Sequence, residues 1–155
     1  MLTLRDVIEG LGGQISDPSG IETTPIQATV IDSRLAKAGS LFVALRGERA
    51  DGHSYVADAF ERGAALALID QDVDLGAPII DLSTPAQIER ASTPACIKVQ
   101  NSLLGLQQLA AYWRGRHSVR VVGVTGSVGK TTTKEQIWSV LRRRYRTPRS
   151  EGNYN

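Results

Sequence analysis

The sequence predicts an α/β protein in two units. An alternating strand–helix unit spans residues 1–100, a connecting helix spans 101–117, and the first strand, glycine loop and helix of a second unit span 118–155. Three observations predict this. Between residues 26 and 100, short apolar runs bounded by glycine, proline and polar residues alternate with helical stretches, the pattern of a covered sheet. A nearly all-apolar run, "VRVVGV" at 119–124, leads directly into "TGSVGKTTTKE". Charge also changes sign along the chain. Residues 1–113 carry 8 basic and 14 acidic side chains, a net of −6, whereas residues 114–155 carry 10 and 2, a net of +8. A basic unit behind an acidic one assigns the handling of anions to the second.

Residues 3–11 read as a short helix, with Leu4, Val7, Ile8 and Leu11 on one face, a Thr3–Asp6 capping box and a stop at Gly12-Gly13. "IQATVIDSR" (26–34) reads as a strand entering a polar turn, and "KAGSLFVAL" (37–45) as a glycine turn and a second strand. "RGERADGHS" (46–54) is a loop, 54–62 a helix and 64–69 a buried strand. "PIIDL" (78–82) is a short strand, Ser83-Thr84-Pro85 a helix start, and "ACIKV" (95–99) another strand. The polar stretch 74–95 has no functional reading. Asn101 or Ser102 caps a helix to about residue 116, on which Leu103, Leu106, Ala110 and Trp113 recur at helical spacing, Trp113 being read as core. Residues 119–124 read as a parallel strand covered on both faces. Residues 130–144 read as a helix with Ile137, Trp138, Val140 and Leu141 mostly inward.

No run of eighteen apolar residues occurs, so no membrane span is expected. The N-terminus carries Asp6 and Glu9 and has no apolar core of a secretory signal. The single Cys96 cannot form an internal disulfide, which fits a reducing, cytoplasmic setting, and it reads as a small buried hydrophobe rather than a reactive thiol. His117 has no partner evident from the sequence.

The glycine loop carries the chemistry. A buried strand, a glycine turn and a helix start make an anion cradle: the first helical N–H groups lack partners in their own helix, and the helix dipole places partial positive charge there. Glycines let the backbone curl its amides inward and remove side chains that would block a phosphate. The usual phosphate-loop spacing needs glycine at 124; this chain has Val124, with glycines at 123, 126 and 129. Even so, strand, Gly-x-Gly-Lys-Thr-Thr and helix follow in order. The backbone of Gly126, Ser127, Val128 and Gly129 is expected to cradle phosphate. Lys130 is the expected catalytic cation, Thr131 the expected Mg²⁺ ligand, and Thr132 an expected donor to phosphate.

"TGSVGKTTTKE" resembles the ATP loop of the Mur ligases, which also replace the usual first glycine. "DSRLAKAGSLFVALRGERADGH" (32–53) resembles the N-terminal domain shared by the MurE and MurF types of that family. Lys134-Glu135, "LLGLQQLAAYWR" (103–114) and the terminal "EGNYN" resemble the MurF type. The resemblance covers nearly the whole chain. It implies an N-terminal UDP-substrate-binding α/β domain followed by the start of a Mur-ligase ATPase domain. It also implies an ATP- and Mg²⁺-dependent ligase, acting as a monomer, that joins D-alanyl-D-alanine to UDP-N-acetylmuramoyl-tripeptide through an acyl phosphate. By the same resemblance, Ser33, Arg34, Glu48, Arg49 and Ala50 lie around the UDP moiety, and Asn153 and Asn155 belong to an asparagine motif near the tripeptide.

From the residues alone, Asp32 and Arg34 read equally as a local ion pair, and Asp51-Gly52-His53 reads as a turn and helix cap rather than a ligand contact. Asn101-Ser102 stands where the family often has Asp-Thr, a swapped helix cap. The sequence runs only through the first strand, loop and helix of the ATPase domain, so the isolated chain is expected to be inactive. Two alternatives stand beside this reading: a MurE-type ligase adding the third stem-peptide residue, and a nucleic-acid-binding module using "RRRYR" (142–146), which also reads as a solvated helix end.

Overall fold

The computed structural model describes residues 1–48 and 50–150. The chain divides into two units, Met1–His117 and Ser118–Asn155. In chain order the first contains α1 (Leu4–Gly10), β1 (Gln14–Ile15), β2 (Ala28–Val30), β3 (Ser40–Val43), α2 (Val56–Glu61), β4 (Ala64–Ile69), β5 (Ile79–Asp81), β6 (Gln87–Ile88), β7 (Ala95–Lys98) and α3 (Ser102–Gly115). Strands β2-β3-β4-β7-β5 form a five-stranded parallel sheet. The inner strands β3, β4 and β7 are buried on both faces, whereas the edge strands β2 and β5 are partly exposed. Successive side chains point to opposite faces. Leu41, Val43, Leu66, Leu68 and Ile97 meet Leu4, Val7 and Ile8 of α1 and Leu109 of α3 on one side. On the other, Phe42, Ala67, Ile69 and Cys96 meet Val56 and Ala59 of α2. Each fully buried leucine here contributes on the order of 1.5–3 kcal/mol. Cys96 lies wholly inside, as expected, and burial pushes its thiol up to about 11.

The Thr3–Asp6 capping box forms as expected, with the Thr3 amide and hydroxyl both donating to the Asp6 carboxylate. The helix expected over 54–62 starts earlier, as a 3-10 turn over Gly52–Tyr55 that continues into α2. The helix start expected at Ser83-Thr84-Pro85 does not exist. Asp81 takes the Ser83 amide and hydroxyl in a local turn, and the chain goes on to β6, which pairs in parallel with β1. This pairing, the Ile21–Ala91 bridge and the Thr93 bonds to Glu22 give the 74–95 stretch a structural role, covering the N-terminal segment.

Helix α3 presents a different stripe from the one expected. Ser102, Gly105 and Leu109 are buried, Leu106 and Tyr112 pack at the edge of the core, and Leu103 is half exposed. The helix approaches the sheet through its smallest residues, which a count of large apolar side chains overlooks. Trp113 is half-buried and lines an open groove of about 440 Å³ with Met1, Leu2, Ile26 and Ala110. His117 does have partners: its Nδ1 lies 2.9 Å from the Trp113 carbonyl, and its ring packs on the Trp113 ring.

In the second unit, α4 spans Lys130–Leu141, three residues shorter than expected. The expected strand 119–124 is not a strand, and Val119, Val121 and Val122 are exposed. A parallel strand exists only through hydrogen bonds to neighbours, and the described residues of this unit include no other strand. Without a sheet to cover, Val140 is exposed and Ile137, Trp138 and Leu141 are only half-buried. The Trp138 ring is instead flanked by the guanidinium groups of Arg142 and Arg149, at 4.3 and 3.9 Å from its centroid, and its Nε1 donates to the Thr147 carbonyl. Among the described residues, no helix is long and apolar enough to cross a membrane.

Candidate functional site

The glycine loop of the second unit has a backbone that its sequence dictates. Gly126 and Gly129 adopt φ of +147° and +81°, conformations that cost a residue with a Cβ roughly 1–2 kcal/mol. Gly129 is also the N-cap of α4, with no side-chain cap. Thr133 is the first residue bonded back into the helix, to the Gly129 carbonyl at 2.9 Å, so the amides of 130–132 precede the ladder and point from the positive end of the helix dipole. Lys130 Nζ donates to the Gly126 carbonyl at 2.8 Å, so the ammonium folds back across the loop. Ser127, Val128, Thr131 and Thr132 are exposed around it. The arrangement sets unladdered amides and one cation side by side at a helix start, a chemistry suited to a polyanionic phosphate chain. Among the described residues, no group of His, Cys, Asp and Glu is placed to hold a metal. The Thr131 hydroxyl is a hard oxygen of the type Mg²⁺ accepts, and such an ion commonly completes its shell from phosphate oxygens and water.

In the first unit, the expected UDP residues follow two neighbouring parallel strands, so both segments leave the same edge of the sheet. Carboxyl edges of parallel strands are where α/β sheets take ligands. After β2, Asp32 caps a 3-10 turn over Ser33–Leu35. Ser33 is buried, and its side chain helps to hold the Asp58 carboxyl below its ordinary value. Arg34 is exposed and pairs with Asp32 through Nε and Nη2, the latter at 2.7 Å. That guanidinium, with the Arg34 amide, holds the Asp32 carboxyl at about 2. The local ion pair therefore forms, and it leaves the Arg34 side chain at the surface.

After β3, Arg46 and Asp51 face each other in an antiparallel bridge, and the Gly47 amide donates to the Ala50 carbonyl at 2.9 Å. Glu48 and Ala50 sit exposed at the tip of this turn. Arg49, Asn153 and Asn155 lie outside the described residues. Gly52 closes the loop on the end of β3, its amide donating to the Leu45 carbonyl at 2.9 Å. Asp51 caps the following turn by accepting the His53 amide, the role expected of Asp51-Gly52-His53. The His53 amide, then its ring, holds the Asp51 carboxyl below the usual carboxylate range.

Sequence reasoning missed the groups beneath this loop. His53 is buried, and its ring bridges Asp51 and Asp70, the first residue after β4. Gln71 bonds both Asp51 and Arg46. The available signal was a histidine inside an otherwise capped turn, two residues from Asp51.

Comparison with known proteins places the chain. The family model described as "Mur ligase family, catalytic domain" matches residues 25–114. The chain belongs to the Mur ligase family. A UDP-N-acetylmuramoyl-tripeptide–D-alanyl-D-alanine ligase of Bacillus subtilis is 39% identical over 153 residues, covering 99% of this chain and 30% of its own length. A UDP-N-acetylmuramyl-tripeptide synthetase of Roseiflexus is 43% identical over a shorter 110 residues, covering 70% of this chain and 19% of its own length. Among solved structures, the MurF ligase of Thermotoga maritima in complex with ADP superposes with a TM-score of 0.62 at 31% identity, covering 84% of this chain and 26% of that one. This Mur ligase chain thus spans less than a third of the length of these relatives.

Proposed function

We propose that the chain is the substrate-recognition and phosphate-loop portion of an ATP-dependent ligase that adds D-alanyl-D-alanine to UDP-N-acetylmuramoyl-tripeptide in peptidoglycan precursor synthesis, in the cytoplasm. The observation that carries this reading is Lys130 folded across a glycine loop at the start of α4 in a chain of this family. The ADP complex of the MurF relative supports a nucleotide there. In the reaction, the tripeptide carboxylate attacks the γ-phosphorus of ATP and ADP leaves. The amine of D-alanyl-D-alanine then attacks the acyl carbon, phosphate departs and an amide forms. Two anions must meet at the γ-phosphate, so neutralisation is the physical requirement. The loop amides of 126–129 bind and orient the phosphates, the Lys130 ammonium stabilises the transferring group, and Thr132 donates to a phosphate oxygen. Mg²⁺ held through the Thr131 hydroxyl and the phosphates would supply further positive charge. Ser33, Arg34, Glu48, Arg49 and Ala50 form the UDP end of the site. Arg34, exposed and permanently charged, is suited to a diphosphate.

The test is Lys130→Ala in the complete ligase that carries this segment. Its rate of ADP release should fall by at least about 10²-fold, the scale of losing one charge-stabilising donor, with an unchanged circular dichroism spectrum. Normal turnover would overturn the assignment. A second reading, addition of the preceding stem-peptide residue, has the Roseiflexus match in its favour. The Bacillus match extends over both units and favours the first. Offering the ligase the UDP-linked dipeptide and tripeptide in parallel decides between them. The arginine cluster is not proposed as a nucleic-acid surface.

A further inference from the structure

Beneath the exposed tip of the 46–51 loop lies a closed ring of polar contacts. His53 is the centre of it, with its side chain 3% exposed. Its Nε2 lies 3.1 Å from the Asp70 backbone nitrogen. A backbone amide can only donate, so Nε2 accepts and the ring proton sits on Nδ1. Nδ1–H then donates to Asp51 Oδ1 at 2.6 Å. Asp51 Oδ2 accepts from Gln71 Nε2 at 3.1 Å, and Gln71 Oε1 accepts from Arg46 Nη2 at 2.9 Å. Arg46 returns the path to Asp51 across the antiparallel bridge. Asp70 also reaches the other side of the sheet edge: its Oδ2 accepts the Ser102 amide at 3.0 Å, at the start of α3. Its Oδ1 is buried without a hydrogen bond, 3.5 Å from Arg46 Nη2 and 3.4 Å from His53 Nε2. Both ends of the loop are thereby tied to the rigid end of β4, while Glu48 and Ala50 stay in solvent.

We infer that His53 is the positioning residue that anchors the ends of the loop, Arg46 and Asp51, for a nucleotide, acting through Nδ1–H on Asp51 while the Asp70 amide fixes the ring. The inference rests on the proposed placement of the UDP moiety at this loop. The physical reason is preorganisation. A loop held in one shape loses little conformational freedom on binding, whereas every side chain left to be ordered by the ligand weakens it. The imidazole supplies a donor and an acceptor on opposite sides of one rigid ring, which no other neutral side chain does over that span. His53 touches no ligand in this reading. Its effect belongs to affinity for the uridine nucleotide and not to the chemistry at Lys130.

The experiment uses the 155-residue chain and UDP as the probe, with isothermal titration and amide hydrogen exchange as readouts. Asparagine places a donor near the Nδ1 position, and glutamine places an acceptor near the Nε2 position. His53→Asn should keep UDP affinity within about threefold and retain protection of the Gly47 and Gly52 amides. His53→Gln should weaken UDP by at least tenfold and speed exchange at both amides by a similar factor. Equal losses in the two variants, with global melting lowered alike, would reduce His53 to a packing residue and overturn the inference. So would wild-type affinity and protection in His53→Gln. If wild-type chain binds no UDP, the placement of the nucleotide fails on its own. The amide protection still decides the loop's anchor, and unaltered exchange in His53→Gln overturns it.

Discussion

Asp32 shows how one carboxylate can both cap a turn and hold a surface arginine. Its carboxylate caps the 3-10 turn through the Arg34 amide and holds the Arg34 guanidinium through two of its nitrogens. These bonds favour the charged form, so the carboxyl titrates at about 2 instead of its ordinary 3.8. A depressed folded value stabilises the fold above the unfolded carboxyl range. That contribution is lost as pH falls from about 4 through about 2. NMR titration of the Asp32 carboxyl carbon should show this low midpoint, and Arg34→Ala should move it up towards the ordinary value. An unchanged midpoint in the variant would mean that the amide bond alone sets it. Arg34 is therefore paired before any ligand arrives, and binding a diphosphate would have to draw it from, or share it with, Asp32. The sequence left the ion-pair and ligand readings of Arg34 level, and the geometry gives the ion pair without removing the side chain from solvent.

Elements were legible where local chemistry decides them. The Thr3–Asp6 box and the positive-φ glycines before α4 depend on residues within a few positions, and the run 64–69 shows its burial in an unbroken apolar composition. What failed depended on distant partners. The 119–124 run has strand composition but no strand to pair with among the described residues, α3 packs through Ser102 and Gly105, and β6 exists only because β1 lies beside it. The candidate site followed the same division: the glycine loop is a contiguous motif, whereas the His53–Asp70–Arg46 ring joins the ends of two strands and could not be read from spacing. Gly52 sits between the two kinds of information. It looks like loop punctuation, yet a Cβ there would come within 2.7 Å of the Leu45 backbone nitrogen and oxygen. Backbone cannot yield as a flexible side chain can, so Gly52→Ala should displace the loop from the end of β3. A loss on the order of 1–3 kcal/mol is expected, measured by urea denaturation, with faster exchange at the His53 and Ser54 amides. A wild-type midpoint would show that the loop can move aside at little cost.

At the scale of the molecule, the two units differ in what they bury. Residues 1–117 enclose a sheet covered on both faces, and α3 completes that cover through Leu109 well before residue 117. Residues 118–150 offer one helix, a tail folded on Trp138, and a valine-rich segment with Val121 72% and Val122 60% exposed. Contiguous exposed apolar residues favour association between molecules. Removing residues 118–155 should thus raise the soluble yield of the chain while leaving the first unit intact. The check is sedimentation and thermal melting of the 1–117 and 1–155 chains side by side. The shorter chain is expected to stay monodisperse at higher concentration, with the exchange protection of β3, β4 and β7 unchanged, because every strand neighbour of that sheet lies before residue 99. A shorter chain that aggregates or loses this protection would mean that the first unit draws stability from residues beyond His117, and the division at His117 would have to be abandoned.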